Sequence, residues 1–103
     1  MPHTQAELDA ELRSILGSDF TYYQPPENLR MHYPCIRYDL SDIHSRSANN
    51  KNYILTPRYD LTVIDKDPES TIYLEIMKHF SMCSFSRHYE ADNLHHYVLT
   101  LFY

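Results

Sequence analysis

The spacing of apolar residues near the start of the chain predicts a first helix. Four of them fall on one face of a helical wheel, at Leu8, Leu12, Ile15 and Leu16. Thr4 and Glu7 have the spacing of a capping box, which satisfies free amides at a helix start. Gly17, the only glycine, suits the left-handed backbone that often follows a helix. We therefore predict a helix over Gln5–Leu16.

Three strands are predicted to follow this helix. The aromatic run Phe20–Tyr23 stops at two prolines and is typical of a short edge strand. Apolar and polar residues then alternate over Cys35–Leu40 and again over Tyr53–Val63, where Pro57 indicates a break or an edge position. The polar segment Ser41–Asn52 is longer than most hairpin connections. We predict that it is a mobile loop that becomes ordered against a partner.

A second helix and two more strands complete the predicted fold. The helix spans Pro68–Phe80 with Asp67 as its N-cap, and Leu74 lies off its apolar stripe, where it is exposed or makes a subunit contact. Strands over Cys83–Tyr89 and Leu94–Tyr103 are joined by a polar turn, and the last strand is apolar on both faces, as in the middle of a sheet. The order α-β-β-β-α-β-β predicts an α+β domain with a mostly antiparallel sheet and two helices on one face.

Length and composition limit the function. The 103 residues suffice for a single domain spanning residues 1–103. Nine basic against 14 acidic residues give a net charge of −5, which disfavours sequence-specific DNA binding. A single glycine excludes the glycine-rich motifs that bind nucleotides. No apolar run is long enough to span a bilayer, so we expect neither membrane association nor export.

The strongest candidate for catalysis is the sequence Asp65-Lys66-Asp67. Two carboxylates could hold Mg²⁺ for a small metal-dependent nuclease or hydrolase that uses Asp65, Asp67 and His88. Helix capping by Asp67 and a solvated turn explain the same residues more simply. We therefore expect no enzymatic activity and keep the nuclease as an alternative.

Histidines and cysteines give no strong metal or nucleophile motif. His95 and His96, with His88 and Asp92 nearby, are residue types that bind zinc or iron, but adjacent residues of a strand point to opposite faces. The two cysteines lack metal-site spacing, and we predict reduced thiols packed in the core. No catalytic, cofactor-binding or metal-binding residue is assigned, and no cofactor is expected.

Ten tyrosines in 103 residues indicate extensive protein contacts, since tyrosine combines a rigid apolar ring with a polar tip. The candidate interface residues are Phe20, Tyr22, Tyr23, Arg46, Asn49, Lys51, Leu74 and Tyr103. Tyr33 is a further tyrosine that suits an interface better than the core. One alternative is a cytosolic adaptor that binds a peptide by strand addition along Phe20–Tyr23.

Five segments between Tyr22 and Tyr103 together resemble the small tail terminator proteins of long-tailed bacteriophages, which are also called tail completion or tail-to-head joining proteins. They are Tyr23–Asn28, Met31–Ile36, Thr62–Pro68, Cys83–Tyr89 and Ala91–His96. The chain departs from the family pattern at Ser86 and His95, where the family has Asp and Asn.

The resemblance implies a structural virion protein, present in the host cytoplasm during assembly and then at the head-proximal end of the tail. It implies a hexameric ring that stops polymerisation of the tail tube protein and joins the tail to the head-completion, or stopper, protein. DNA would pass through the lumen without specific binding, and an acidic wall would repel its phosphates. Another neck or head–tail connector component of the same virion is an alternative.

Overall fold

The computed structural model describes residues 4–26, 29–48 and 52–103. The elements are α1 Gln5–Leu16, β1 Thr21–Tyr23, β2 Cys35–Ala48, β3 Asn52–Asp65, α2 Ile72–His79, β4 Cys83–Ala91 and β5 Leu94–Phe102. The strands form one open sheet in the order β1-β2-β3-β5-β4, in which β1 is parallel to β2 and all other pairs are antiparallel. The predicted α+β architecture and element order are confirmed.

Helix α1 has the predicted bounds because both of its ends carry local signals. The Thr4 hydroxyl accepts a hydrogen bond from the Glu7 backbone amide at 3.1 Å. At the other end, Gly17 adopts a φ of 78° and its amide donates to the Arg13 carbonyl at 2.8 Å. The left-handed φ is the reason a glycine is needed there.

Helix α2 is shorter than predicted, and the assignment of Asp67 as its N-cap was wrong. The Asp67 carboxylate accepts from the Glu69 amide at 2.9 Å, within a turn that precedes the helix. The helix begins only after Thr71, whose side chain makes no capping hydrogen bond. Asp67 and Pro68 therefore shape the turn that leaves β3.

The prediction of a loop over Ser41–Asn52 was wrong for most of that segment. β2 continues to Ala48 and β3 begins at Asn52, and their pairing runs from Asp42↔Arg58 to Ala48↔Asn52. Residues 49–51 lie outside the described residues. The sequence pattern misled because a two-stranded ribbon with solvent on both faces does not require regular apolar alternation.

Residues 41–48 and 52–57 form a two-stranded extension, which we call the arm. β1 pairs with β2 only as far as Tyr38, and β5 pairs with β3 only as far as Arg58, so the described arm strands pair only with each other. Pro57 is tolerated because β3 has lost its second neighbour there, as the predicted edge position requires. The arm helps to make the molecule elongated, 50 × 26 × 23 Å.

The hydrophobic core lies between the two helices and one face of the sheet. Its buried residues are Leu8, Leu12, Ile36, Tyr38, Tyr59, Leu61, Val63, Ile76, Phe80, Tyr97, Leu99 and Leu101. β5 lies between β3 and β4, as its apolar residues on both faces predicted. The opposite, helix-free face of the sheet carries rows such as Arg37, Thr62 and Val98, and Cys35, Ile64 and His96.

The β4–β5 hairpin ends in a tight turn. Asp92 and Asn93 both have positive φ values, 54° and 63°, which two-residue hairpin turns require and which Asp and Asn adopt more readily than most residues. Between Phe85 and Arg87 the pairing shifts by one residue, so Phe85 pairs with Leu99 and His88 with Tyr97. This bulge keeps Phe85 and His88 on the helix-facing side.

Candidate functional site

A groove lies on the helix-free face of the sheet, with a volume of about 270 Å³. It is lined by Met31, Tyr33, Arg37, Asp39, Thr62, Ile64, Tyr89, Asp92, Leu94 and His96. Strands β2, β3, β4 and β5 form its floor and sides, and the segment before β2 contributes Met31 and Tyr33. Its lining combines aromatic, aliphatic and charged groups, a composition that suits recognition of a protein surface.

Aromatic stacking and ion pairs fix the side chains of the groove. The rings of Tyr89 and His96 stack with centroids 4.6 Å apart and planes 10° from parallel. The guanidinium of Arg87 lies 5.3 Å from the Tyr89 ring centroid. The Arg37 Nε lies 3.7 Å from an Asp39 carboxylate oxygen, and both side chains are nearly half exposed. The groove therefore offers stacked rings beside paired charges that remain accessible to a partner.

The groove is lined from four of the five segments singled out in the sequence, and Tyr23–Asn28 contributes no residue to it. Eight of its ten lining residues fall in those four segments, and only Arg37 and Asp39 do not. The four segments lie far apart along the chain, and strand pairing brings them together. Of these residues only Tyr33 was predicted to suit an interface. The four segments could be found in the sequence, but cross-strand register, which the sequence does not reveal, decides which of their side chains meet.

Cys35 and Cys83 are both free thiols, as predicted. Cys35 is fully buried, and burial, followed by the nearby charge of Asp65, raises its pKa to about 12. Cys83 is only half-buried, and burial also raises its pKa. Both thiols are thereby held protonated at neutral pH, which disfavours a role as nucleophiles.

The histidines divide between the two faces of the sheet, as predicted for adjacent residues of a strand. His95 lies on the helix side, where its Nδ1 is 3.2 Å from Nε2 of His88 and its Nε2 is 3.3 Å from the Glu90 carboxylate. His96 stacks on Tyr89 in the groove. Within residues 4–26, 29–48 and 52–103, no three His, Cys, Asp or Glu side chains are grouped so that they could hold a metal ion.

The acidic sequence at the end of β3 makes a turn, as one half of the simpler explanation predicted, whereas the helix cap predicted with it is absent. Asp65 accepts a hydrogen bond from the Asp67 amide at 3.1 Å, and Asp67 in turn accepts from Glu69. His88 points instead at His95 and packs against Tyr97, with ring centroids 4.8 Å apart. The residues of the nuclease alternative thus have separate local partners.

The predicted interface residues have different environments. The Tyr22 hydroxyl accepts from the His32 amide at 3.1 Å, and the ring of Phe20 stacks on His32 with centroids 5.1 Å apart. Tyr23 packs against the core beside Tyr38. The Tyr103 hydroxyl donates to a Glu11 carboxylate oxygen, and its ring packs on Phe80.

The remaining four candidates are three polar residues and Leu74. Arg46 is in β2, on the arm, while Asn49 and Lys51 lie outside the described residues. Leu74 is 40% exposed on α2, as the prediction off the apolar stripe requires. Leu74 is therefore the only one of the eight candidates that the described surface presents as a large exposed apolar side chain.

Exposed apolar side chains are concentrated in two places outside the groove. Leu40, Ile43 and Leu55, at the base and along the arm, form what we call the arm strip. Leu74 on α2, Met82 just before β4 and Phe85 in β4 make up the second group, which we call the edge patch. Sequence reasoning identified only Leu74, because the long arm was not foreseen.

No helix among the described residues is long and apolar enough to cross a membrane. Comparison of the chain with protein-family models, with curated proteins and with solved structures found no match.

Proposed function

We propose that this chain is the subunit of a ring at the head-proximal end of a bacteriophage tail, which stops growth of the tail tube and joins the tail to the head-completion protein. The observation that carries the proposal is the groove. Five segments that resemble tail terminators are scattered along the sequence, yet side chains from four of them converge on one surface of the folded chain. That arrangement is expected of a docking site shared with the family.

The composition of the surface is consistent with docking. The groove exposes a pair of stacked aromatic rings and a half-exposed ion pair, and such groups give specificity and on-rate in protein contacts. The arm strip and the edge patch are two different apolar surfaces on one subunit. Two dissimilar surfaces allow head-to-tail contacts, and such contacts close into a ring when the rotation between copies permits.

The net charge of −5 fits a subunit that lets DNA pass. Cationic contacts release counterions and hold DNA, whereas an acidic wall gains no such energy. DNA would therefore slide through the lumen without a specific binding site. Replacing acidic side chains of the assembled lumen by lysine should slow DNA ejection, and an unchanged ejection rate would contradict this part of the proposal.

The first test is deletion of the gene from the phage that encodes it, with negative-stain imaging of the particles. A tail terminator predicts overlong tails and heads without tails, and the same gene supplied in trans should restore normal particles. Tails of normal length that fail to join heads would favour the alternative of another neck component. Normal infectious particles without the protein would contradict both.

The second test addresses the groove itself. Tyr89→Ser removes a ring that is 40% exposed and lies at the edge of the sheet, so the subunit should keep its fold. Leu29→Ser is the matched control, because Leu29 is 41% exposed and does not line the groove. We expect the Tyr89 variant, and not the control, to reduce the yield of joined particles. Equal yields from the two variants would show that the groove takes no part in joining tails to heads.

A further inference from the structure

We propose that His88 and His95 together bind a divalent transition-metal ion of the class of Zn²⁺, through one ring nitrogen each. The site lies on the helix side of the β4–β5 hairpin, whereas the groove lies on the opposite face of the sheet. Three features support it, namely the separation of the two nitrogens, the carboxylate that orients His95 and the bulge that brings His88 to this face. The site is independent of the proposed function.

The two ring nitrogens that face each other are as close as two ligands of one metal ion. His95 Nδ1 lies 3.2 Å from His88 Nε2, and the ring planes are 13° from parallel. Two imidazole nitrogens that bind one zinc ion at the usual bond length and a tetrahedral angle are about 3.3 Å apart. Because the His88 side chain is exposed, its ring can rotate to direct both lone pairs at one ion.

Glu90 determines which nitrogen of His95 is available. Glu90 pairs with His95 across the two strands, and its carboxylate lies 3.3 Å from His95 Nε2. A carboxylate in this position accepts the Nε2 hydrogen, so that Nδ1 keeps a free lone pair toward His88. Zinc proteins use the same order of carboxylate, histidine and metal, in which the outer carboxylate orients the ligand and raises its basicity. The His95 side chain is only 17% exposed, which also restricts its ring.

The bulge in β4 places His88 beside His95. Without the register shift between Phe85 and Arg87, strict alternation from Phe85 would put His88 on the groove side of the sheet. With the shift, His88 pairs with the buried Tyr97, and the two rings lie 4.8 Å apart. Bulges that redirect a side chain are over-represented next to functional sites.

The two imidazoles select the class of ion. Imidazole nitrogen suits zinc, copper and nickel, whereas magnesium and calcium require oxygen ligands. Among the described residues no third His, Cys, Asp or Glu completes the site, so the remaining positions are left to water. Arg87 lies over the Tyr89 ring, on the groove side, and brings no positive charge to the pair. The site is therefore an open chelate, unlike the closed four-ligand sites that hold structural zinc.

Calorimetric titration of the full chain with Zn²⁺ tests the site. His88→Asn removes one ligand from an exposed position, and His79→Asn is the matched control, because the exposed His79 ring contacts the Glu11 carboxylate at 3.0 Å instead of a second histidine. We expect the control to bind Zn²⁺ like wild type and His88→Asn to bind at least about 100-fold more weakly. Loss of an outer carboxylate costs about 10- to 100-fold in metal affinity, so Glu90→Gln should lower the affinity by about tenfold.

NMR spectra of the histidine rings locate the bound ion. Zn²⁺ should shift the ring signals of His88 and His95 and leave those of His32 and His79 in place. The dispersed backbone spectrum of each variant shows that it is folded. An ion that binds the folded chain stabilises it, so Zn²⁺ should also raise the urea midpoint of wild type and of the control, but not that of His88→Asn.

Four results would overturn the inference. They are no binding of Zn²⁺ by wild type at millimolar concentration, equal affinities of wild type and His88→Asn, ring shifts confined to other histidines, and binding of Mg²⁺ as tight as that of Zn²⁺. None of them bears on tail assembly, which deletion of the gene tests separately. Normal particles after deletion would remove the proposed function and leave the metal site standing.

Discussion

The hydroxyl of Tyr38 donates a hydrogen bond to the carboxylate of Asp9 across 2.6 Å, and this pair ties helix α1 to the central part of the sheet. The same carboxylate accepts from the Thr21 hydroxyl at 2.8 Å and pairs with Arg13 Nε at 2.7 Å. Gln5 donates its side-chain amide to the Tyr38 oxygen at 2.6 Å. One acidic residue of α1 therefore organises the contacts of α1 with β1 and β2.

Removing the Tyr38 hydroxyl should destabilise the fold more than its small size suggests. Tyr38→Phe leaves the largely buried Asp9 carboxylate without one of its donors, and hydrogen bonds to charged groups are worth about 2 kcal/mol. We expect a loss of that size in the free energy of unfolding, measured by urea denaturation. Tyr23→Phe is the matched control, since the Tyr23 ring packs 5.0 Å from Tyr38 and should lose less.

A double-mutant cycle isolates the pair. If Asp9→Asn, Tyr38→Phe and the double variant give additive losses, the 2.6 Å contact contributes nothing to stability. We expect a coupling energy of about 1 kcal/mol or more, as for neighbouring groups within one hydrogen-bond network.

Alkaline pH should lower the free energy of unfolding, because Tyr38 holds its proton more tightly in the folded protein than in the unfolded chain. Burial, followed by the hydrogen bond to Asp9, raises the pKa of Tyr38 well above its ordinary value of 10. Below about pH 10 both folded and unfolded chains keep this proton, so the contribution is constant. At higher pH the unfolded chain loses the proton first, and the free energy of unfolding falls by up to about 1.4 kcal/mol per pH unit.

Burial also raises the pKa values of Tyr59, Tyr97 and Tyr103, for Tyr103 with its bond to Glu11 as the second cause, so four tyrosines act in the same direction. Urea denaturation at about pH 9 and about pH 11 checks the expectation. Tyr38→Phe should flatten the pH dependence. An equal slope in the variant would show that Tyr38 ionises in the folded state as it does in the unfolded chain.

The turn after α1 depends on the backbone of Gly17. A Cβ at this position would meet no other atom within 4 Å, so the cost of a substitution comes from the φ of 78° alone. We expect Gly17→Ala to lower the free energy of unfolding by about 1 kcal/mol. Gly17→Asn should lose less, since Asn tolerates left-handed backbone, and equal losses would point to a cause other than φ.

Local signals allowed α1 and the order of elements to be predicted, and their absence explains where prediction failed. Thr4 and Gly17 mark both ends of α1, whereas Thr71 makes no capping bond and Asp67 serves a turn, so the start of α2 was placed too early. The arm was missed because the bulge at Ser41 breaks the alternation between Leu40 and Ile43.

The groove was beyond prediction for a different reason. Its lining residues Thr62, Tyr89 and His96 are brought together by register between β3, β5 and β4, a non-local property. The opposite orientation of His95 and His96 was predictable, because the alternation of side chains along a strand is local. The contact between His95 and His88 was not predictable, because the bulge at Ser86 decides on which face of the sheet His88 lies.

The two cysteines should react with thiol reagents at very different rates. Cys35 is fully buried with a pKa raised to about 12, so it should react only when the surrounding structure opens. Cys83 is half-buried and should be modified first under native conditions. Labelling of Cys35→Ser and Cys83→Ser variants distinguishes the sites. Faster labelling of Cys35 than of Cys83 would contradict the burial described here.

The protection of backbone amides from hydrogen exchange should decrease along β2, from its start to the arm. Ile36 to Tyr38 lie between β1 and β3, whereas Asp42 to Ala48 pair with β3 alone, so we expect strong protection in the first group and weaker but measurable protection in the second. Exchange of Asp42 to Ala48 at the rate of an unstructured peptide would favour the loop that the polar sequence first suggested.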